Sequence, residues 1–366
     1  MKIKRLRGYL SGKWQPFAAI IAALVVGWLI LLLANYDAPL AFSALWDASF
    51  GSLKKFGDTI NKASPLLFTG LAVAISYRAS VFNIGAEGQF LLGATLSSWV
   101  GFTFTSLPAY ILIPLMIVAG AIGGALWAFI PGLLKARHGV SEVITTIMFN
   151  YIALHLVGFL VRGPFQDTAQ AEPQSFNIAP QGYLSVILPG TRMHFGFLLG
   201  IVLAFALFFF LFKTFFGYEI RAVGLSPLAA KVGGIKVTKT MVTTMLISGA
   251  LAGVGGAIEI AGSARYLLEG ISPGYGYTAI AVSVLAANHP IGVIFTSFLF
   301  GMLNAGATAM QRIADVSSDF VDIFQGMIIL FIAVATVSGG KRLKGRRVKE
   351  KEPALIESEN DERNKN

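Results

Sequence analysis

Apolar runs of about 20 residues recur along this chain, and they restrict its fold more than any other feature. A helical run of that length matches the roughly 30 Å hydrocarbon core of a bilayer. Ten segments of this kind are read at about 17–34, 60–77, 88–105, 109–134, 140–161, 195–213, 240–261, 271–288, 290–308 and 319–338. The stretches between them leave only 13% of the 366 residues charged, with 55% apolar. A soluble domain carries about 25% charged residues. The expected fold class is therefore an all-α polytopic membrane protein with about ten transmembrane helices. The eighth segment, SPGYGYTAIAVSVLAAN, is short and opens on glycines, and reads as a full span or as a re-entrant or broken helix.

Charge orients the spans. Ten spans with a cytoplasmic N-terminus put the basic N-terminus, Arg78, Lys135, Arg137, the stretch from Lys213 to Lys239 and the tail from Lys341 inside, 22 of the 29 Lys and Arg. An odd number of spans would put the KRLKGRR tail outside, against the positive-inside rule. Both termini are therefore expected in the cytoplasm. The net charge of +10 follows from this topology and needs no nucleic-acid partner. The first apolar stretch is longer than a signal-peptide h-region and no clear A-x-A site follows, so it reads as an uncleaved first helix.

The expected organisation is a basic cytoplasmic N-terminus (1–16), a transmembrane domain (17–340) and a disordered cytoplasmic tail (341–366). Two outer loops are long, about 35–59 and 162–194. The second holds Pro164, Pro173, Pro180 and Pro189, and a polar loop of that length is expected to bind something or to be disordered. Small residues at Gly120 and Gly124, and at Gly249 and Gly253 with Ser248, Ala252 and Gly256 alongside, predict close helix packing.

No catalytic constellation is visible. The chain has no cysteine, its four histidines are scattered without HExxH, and it has no P-loop. Two polar stretches stand out instead. SVFNIGAEGQFLLGA (80–94) places Asn83, Glu87 and Gln89 around glycines between two apolar runs. It reads either as broken backbone facing a water-filled path or as a turn with a helix cap. Asn150 and Asn304 lie mid-span, where an amide needs a partner, as interhelical glue or as a ligand contact. Glu142 follows Ser141 at a helix start and reads as a cap, and Glu259 lies near the outer end of its helix, where it can reach water. GYEIRAVGLSPLAAKVGG (217–234) is the second stretch, a basic loop with Glu219, Arg221, Gly224, Ala229, Ala230 and Gly233. Small residues there would let a partner approach the backbone while the charges set register.

PLLFTGLAVAISYRASVFNIGAEGQFLLGA (65–94), GVSEVITTIMFNYIA (139–153) and GYEIRAVGLSPLAAKVGGI (217–235) resemble the inner-membrane permeases of ABC importers for branched-chain amino acids, monosaccharides and nucleosides. The form of FNIGAEGQ is similar to that of the nucleoside and simple-sugar branch. The resemblance covers nearly the whole chain. It implies a type II ABC importer permease in a bacterial cell membrane, with a cytoplasmic coupling loop at 214–239. The implied partners are a cytoplasmic ABC ATPase that binds ATP and Mg, a second homologous permease, and an extracytoplasmic binding protein or lipoprotein. The chain itself would hold no cofactor and hydrolyse nothing. A purine nucleoside such as guanosine is the first substrate expected and a simple sugar the second, since spacing does not choose between them. An ion-coupled secondary carrier is the rival from another class, disfavoured by the scarcity of deep titratable groups and by the docking-type loop.

Overall fold

The computed structural model describes residues 15–317 and single positions between 320 and 330. These residues are helical, with three isolated β-bridges and no strand among them. Most of the expected tenth span, the tail 341–366 and most of the basic N-terminus lie outside the described residues.

The chain divides into two compact units, one of residues 1–42 with 310–366 and the other of residues 43–309. In the first, α1 (Gln15–Leu33) carries the expected first span. Trp28 packs on Phe42 with ring centroids 5.1 Å apart, and Tyr36 packs edge-on to Phe320 at 5.2 Å.

The second unit starts within α2 (Ala38–Phe50), which occupies part of the expected outer loop 35–59. At 13 residues it falls below the length of a span. Its first turn is capped by Asp37, whose Oδ1 accepts from Leu40 N–H at 2.9 Å. Next come α3 (Leu53–Arg78), begun by Ser52 as N-cap, and α4 (Ala86–Thr103). α5 (Ala109–His138) ends in a left-handed Gly139, with Lys135, Arg137 and His138 in its last turn, where the helix dipole favours cations. α6 (Glu142–Arg162) and α7 (Gly196–Lys213) flank the long loop. Two short helices, α8 (Phe215–Leu225) and α9 (Pro227–Val232), precede α10 (Val237–Glu259), which runs on into a π-helical turn at Ile260–Ala264. α11 (Tyr275–Leu285) and α12 (Pro290–Ala314) follow.

Five described helical stretches are long and apolar enough to cross a membrane: Ala109–His138, Glu142–Arg162, Gly196–Lys213, Val237–Ala264 and Pro290–Ala314. Within this unit the helices run up and down between two ends. At one end Ser80 Oγ donates to Gly224 O, Arg78 donates to the carbonyls of Ala287 and Asn288, and Lys135 pairs with Glu142 at 2.7 Å. At the other end Ala179 N–H donates to Gly101 O, Ile178 N–H to Arg265 O, and Leu184 N–H to Ala261 O.

α10 sits at the centre, against α3, α4 and α5. The small residues read from the sequence make that packing within one chain. A Cβ added at Gly253 would fall 2.1 Å from Gly120 O, and one at Gly249 would fall 2.3 Å from Gly124 O. Any side chain there would force the helices apart.

Candidate functional site

Two breaks in the helices meet inside the second unit. The first is the stretch between α3 and α4. α3 ends at Arg78, and the chain then turns back among the helices instead of leaving them. Asn83 is fully buried, and the residues it touches show its depth. Its Nδ2 donates to Ser248 Oγ at 2.8 Å, in the middle of α10, and Ser248 Oγ donates to Ala72 O, six residues before α3 ends. At a rise of about 1.5 Å per residue the loop reaches back some 9 Å along the helix.

A buried non-helical backbone must find partners for its polar groups. Here side chains supply them. Asn83 and Gln89 face each other as a reciprocal amide pair, Nδ2 to Oε1 at 2.8 Å and Nε2 to Oδ1 at 3.0 Å. Asn83 Oδ1 also accepts from Gly85 N–H. Asn150, on α6, accepts from Gly88 N–H at 2.9 Å and donates to Ile84 O at 3.0 Å. Glu142 accepts from Phe82 N–H while it pairs with Lys135, so it ties the loop to the joint between α5 and α6. The sequence placed Glu142 at a helix start, and it does lie in the first turn of α6, where the dipole favours a carboxylate, while Ser141 makes no side-chain cap.

The second break precedes α11. From Arg265 to Gly274 the chain is largely non-helical, and α11 then begins at Tyr275. At 11 residues it is about 16 Å long, too short to cross a bilayer by itself. Tyr275 O lies 3.5 Å from Thr69 Oγ1 in the middle of α3, and the turn after α11 is held by Arg78 at the end of α3. The eighth segment is thus broken, with an irregular half followed by a helical half.

The two helix starts touch. Gly276 N–H donates to Glu87 Oε2 at 2.7 Å, and a Cβ at Gly276 would fall 2.1 Å from Glu87 N. Glu87 is in the first turn of α4, so one carboxylate serves the positive ends of two helices. Tyr277 OH accepts from Asn150 Nδ2 at 3.2 Å, which joins both breaks into one network. Asn83, Glu87, Gln89 and Asn150 therefore come together, all under 8% exposed. Asn304 does not join them. It is on α12, where its backbone carbonyl accepts from Lys62 Nζ. Ser248 and Tyr277 were missed as site residues. Ser248 looked like one more small residue of a packing face, and Tyr277 like one of many span aromatics.

The 214–234 segment forms two short helices. Thr214 caps α8, and Ser226 followed by Pro227 starts α9. Gly224 is packed within the chain, since a Cβ there would fall 2.0 Å from Arg78 O. Ala230 is buried, and the Arg221 guanidinium lies 5.2 Å over the Phe212 ring. Ala229 and Gly233 are exposed, and Glu219 is half-buried. The outward surface is aliphatic: Leu225 is 89%, Leu228 75% and Val232 85% exposed.

Comparison with known proteins bears on this arrangement. Residues 56–333 match the family described as branched-chain amino acid transport system / permease component. The chain is 40% identical over 345 residues to the guanosine ABC transporter permease protein NupP of Bacillus subtilis (strain 168), covering 92% of this chain and 98% of that one. It is 34% identical to the nucleoside ABC transporter permease protein NupB of Lactococcus lactis subsp. cremoris (strain MG1363), covering 87% and 90%. It is likewise 34% identical to the glucose ABC transporter permease protein TsgB13 of Haloferax volcanii, covering 87% and 86%.

Proposed function

Because the chain belongs to the family of branched-chain amino acid transport system permease components, a multi-pass membrane protein of ABC importers, we propose that it forms the path for a nucleoside, a purine nucleoside such as guanosine before a simple sugar. The observation that carries this reading is the 40% identity to a guanosine permease along 92% of the chain, against 34% to a glucose permease. In this reading the membrane domain has ten spans and both termini are cytoplasmic. The end bearing Gly224 faces the cytoplasm and the end bearing the 162–194 loop faces outward. The alternation of helix ends in the second unit and the distribution of Lys and Arg support it.

The geometry suits transport. Discontinuous helices whose N-termini meet within a membrane domain are how many transporters present backbone and dipole to a substrate. Asn83, Gln89 and Asn150 hold the broken backbone beside the path, and Glu87 fixes the start of α11. Asn304, on α12, is the further candidate of the path. No step of ATP hydrolysis is assigned to this chain. ATP and Mg are bound by a cytoplasmic ATPase, which docks on the 214–239 segment through Leu225, Leu228 and Val232, with Glu219, Arg221, Gly224, Ala229, Ala230 and Gly233 shaping that segment. A second homologous permease completes the path, and an extracytoplasmic binding protein delivers the substrate.

The substrate is tested by competition. Uptake of labelled guanosine into vesicles bearing the assembled importer is expected to be suppressed by unlabelled purine nucleosides and unaffected by glucose, ribose or leucine. Suppression by a hexose, with none by nucleosides, transfers the reading to a sugar permease.

A further inference from the structure

The 162–194 loop and the turn after α10 line an open cleft that the network around Glu87 does not use, with Asn177, Gln181 and Arg265 exposed to it. Two cavities of about 340 and 730 Å³ lie there and share one lining residue, Arg265. The larger is lined by Asn177, Gln181, Tyr183, Tyr266 and Thr105, with no acidic residue in its wall.

Arg265 is held in an unusual way. It follows the π-helical turn of α10 and is left-handed, at φ 69°, a conformation that a long side chain rarely adopts. A π-helical turn and a left-handed non-glycine residue at a helix end both recur at functional sites. Its N–H donates to Ile260 O and its carbonyl accepts from Ile178 N–H. The guanidinium lies 4.6 Å over the ring of Tyr183. The wall around it is pinned by Ser175 N–H to Leu267 O, Ala179 N–H to Gly101 O and Leu184 N–H to Ala261 O. This is a preformed concavity, and its polar groups have a particular chemistry.

A guanidinium presents two parallel N–H groups, which match adjacent acceptors such as O6 and N7 of guanine. Amides such as Asn177 and Gln181 suit the other edges of a purine, and tyrosine faces suit its rings. A free amino acid would bring an ammonium for which this wall has no counter-charge. An aminopurine would turn its N6 donor toward the guanidinium.

We infer that this cavity is a receiving site for a 6-oxopurine nucleoside at the outer mouth, with Arg265 reading the O6/N7 edge of the base. The inference rests on the nucleoside reading above and adds to it a preference for guanosine or inosine over adenosine.

The test uses the complete importer, reconstituted with its ATPase, partner permease and binding protein. Guanosine and adenosine uptake are compared in wild type, Arg265→Lys and Asn177→Ala. Arg265→Lys keeps the charge and loses the paired donors, so the guanosine-to-adenosine ratio is expected to fall at least about fivefold, the low end of what a good bidentate contact discriminates. A parallel loss for both nucleosides assigns Arg265 to loop folding or protein docking and overturns the inference. Photolabelling of wild type with 8-azidoguanosine decides the matter even where the variants fail to assemble. Label in the peptides around 177–183 or 265–266, competed by inosine and weakly by adenosine, is expected. Label confined to other peptides while wild type still imports guanosine overturns this site alone. Absence of any nucleoside uptake by wild type overturns the nucleoside reading itself.

Discussion

His194 shows how much one residue's environment decides. It is 2% exposed, its Nδ1 accepts from Gly196 N–H at 3.1 Å, and a Cβ at Gly262 would fall 2.4 Å from its Nε2. Nothing in the sequence distinguished it from the other three histidines, because its burial comes from loop and helix ends far apart in the chain. Burial pushes its pKa down to about 4 from the usual 6.5. The folded chain thus refuses a proton that the unfolded chain takes up below about pH 6.5. Stability is complete above that pH and falls as pH drops toward 4, by about 2 kcal/mol at pH 5. Thermal unfolding of the purified chain at pH 7.5 and pH 5.0 checks this: wild type should lose more melting temperature than His194→Asn does. Asn83 offers a second test. Asn83→Ala strands the Gln89 amide and Gly85 N–H in a buried site, where each unmet group costs about 1–3 kcal/mol. It should lower folded yield in detergent and so lower uptake through the amount of importer. Gln89→Ala should do the same, whereas a loss of uptake with normal yield would place these amides against the substrate.

At the scale of elements, the sequence was most legible where the apolar pattern was long. Nine of its ten segments lie on described helices, with ends displaced by up to seven residues, as at Leu53 for the segment read from 60. α2 went unread because 13 residues are too few to signal a span, although Asp37 with Pro39 beside it is a helix-start signal that local inspection can find. The break before α11 was legible in outline. The glycines that set the segment apart were Gly274, which takes positive φ, and Gly276. Its contact with α4 was not legible, since Glu87 and Gly276 are far apart in sequence. Gly224 serves the chain's own packing against Arg78, so Gly224→Leu should impair folding of the permease and cannot isolate a docking defect. Leu225→Asp with Leu228→Asp changes only exposed aliphatics. That double variant should insert and fold normally yet co-purify with little ATPase. Wild-type recovery of ATPase would remove these leucines from the interface.

At the scale of the whole molecule, the unit of residues 43–309 is an alternating helical bundle with two breaks in its helices at the centre. The bundle follows from apolar length and small-residue faces, both readable in one dimension. The centre follows from side chains on α3, α4, α6, α10 and α11 that satisfy one another's backbone, and no spacing rule predicts such pairings. The central claim is that ATP hydrolysed by a partner drives a nucleoside through this chain. The most direct measurement is labelled guanosine accumulation in proteoliposomes holding the complete importer, with ATP supplied on the ATPase side and ionophores collapsing every ion gradient. Accumulation is expected to require ATP and to be indifferent to the ionophores. Accumulation that follows an imposed ion gradient without ATP would contradict the central claim.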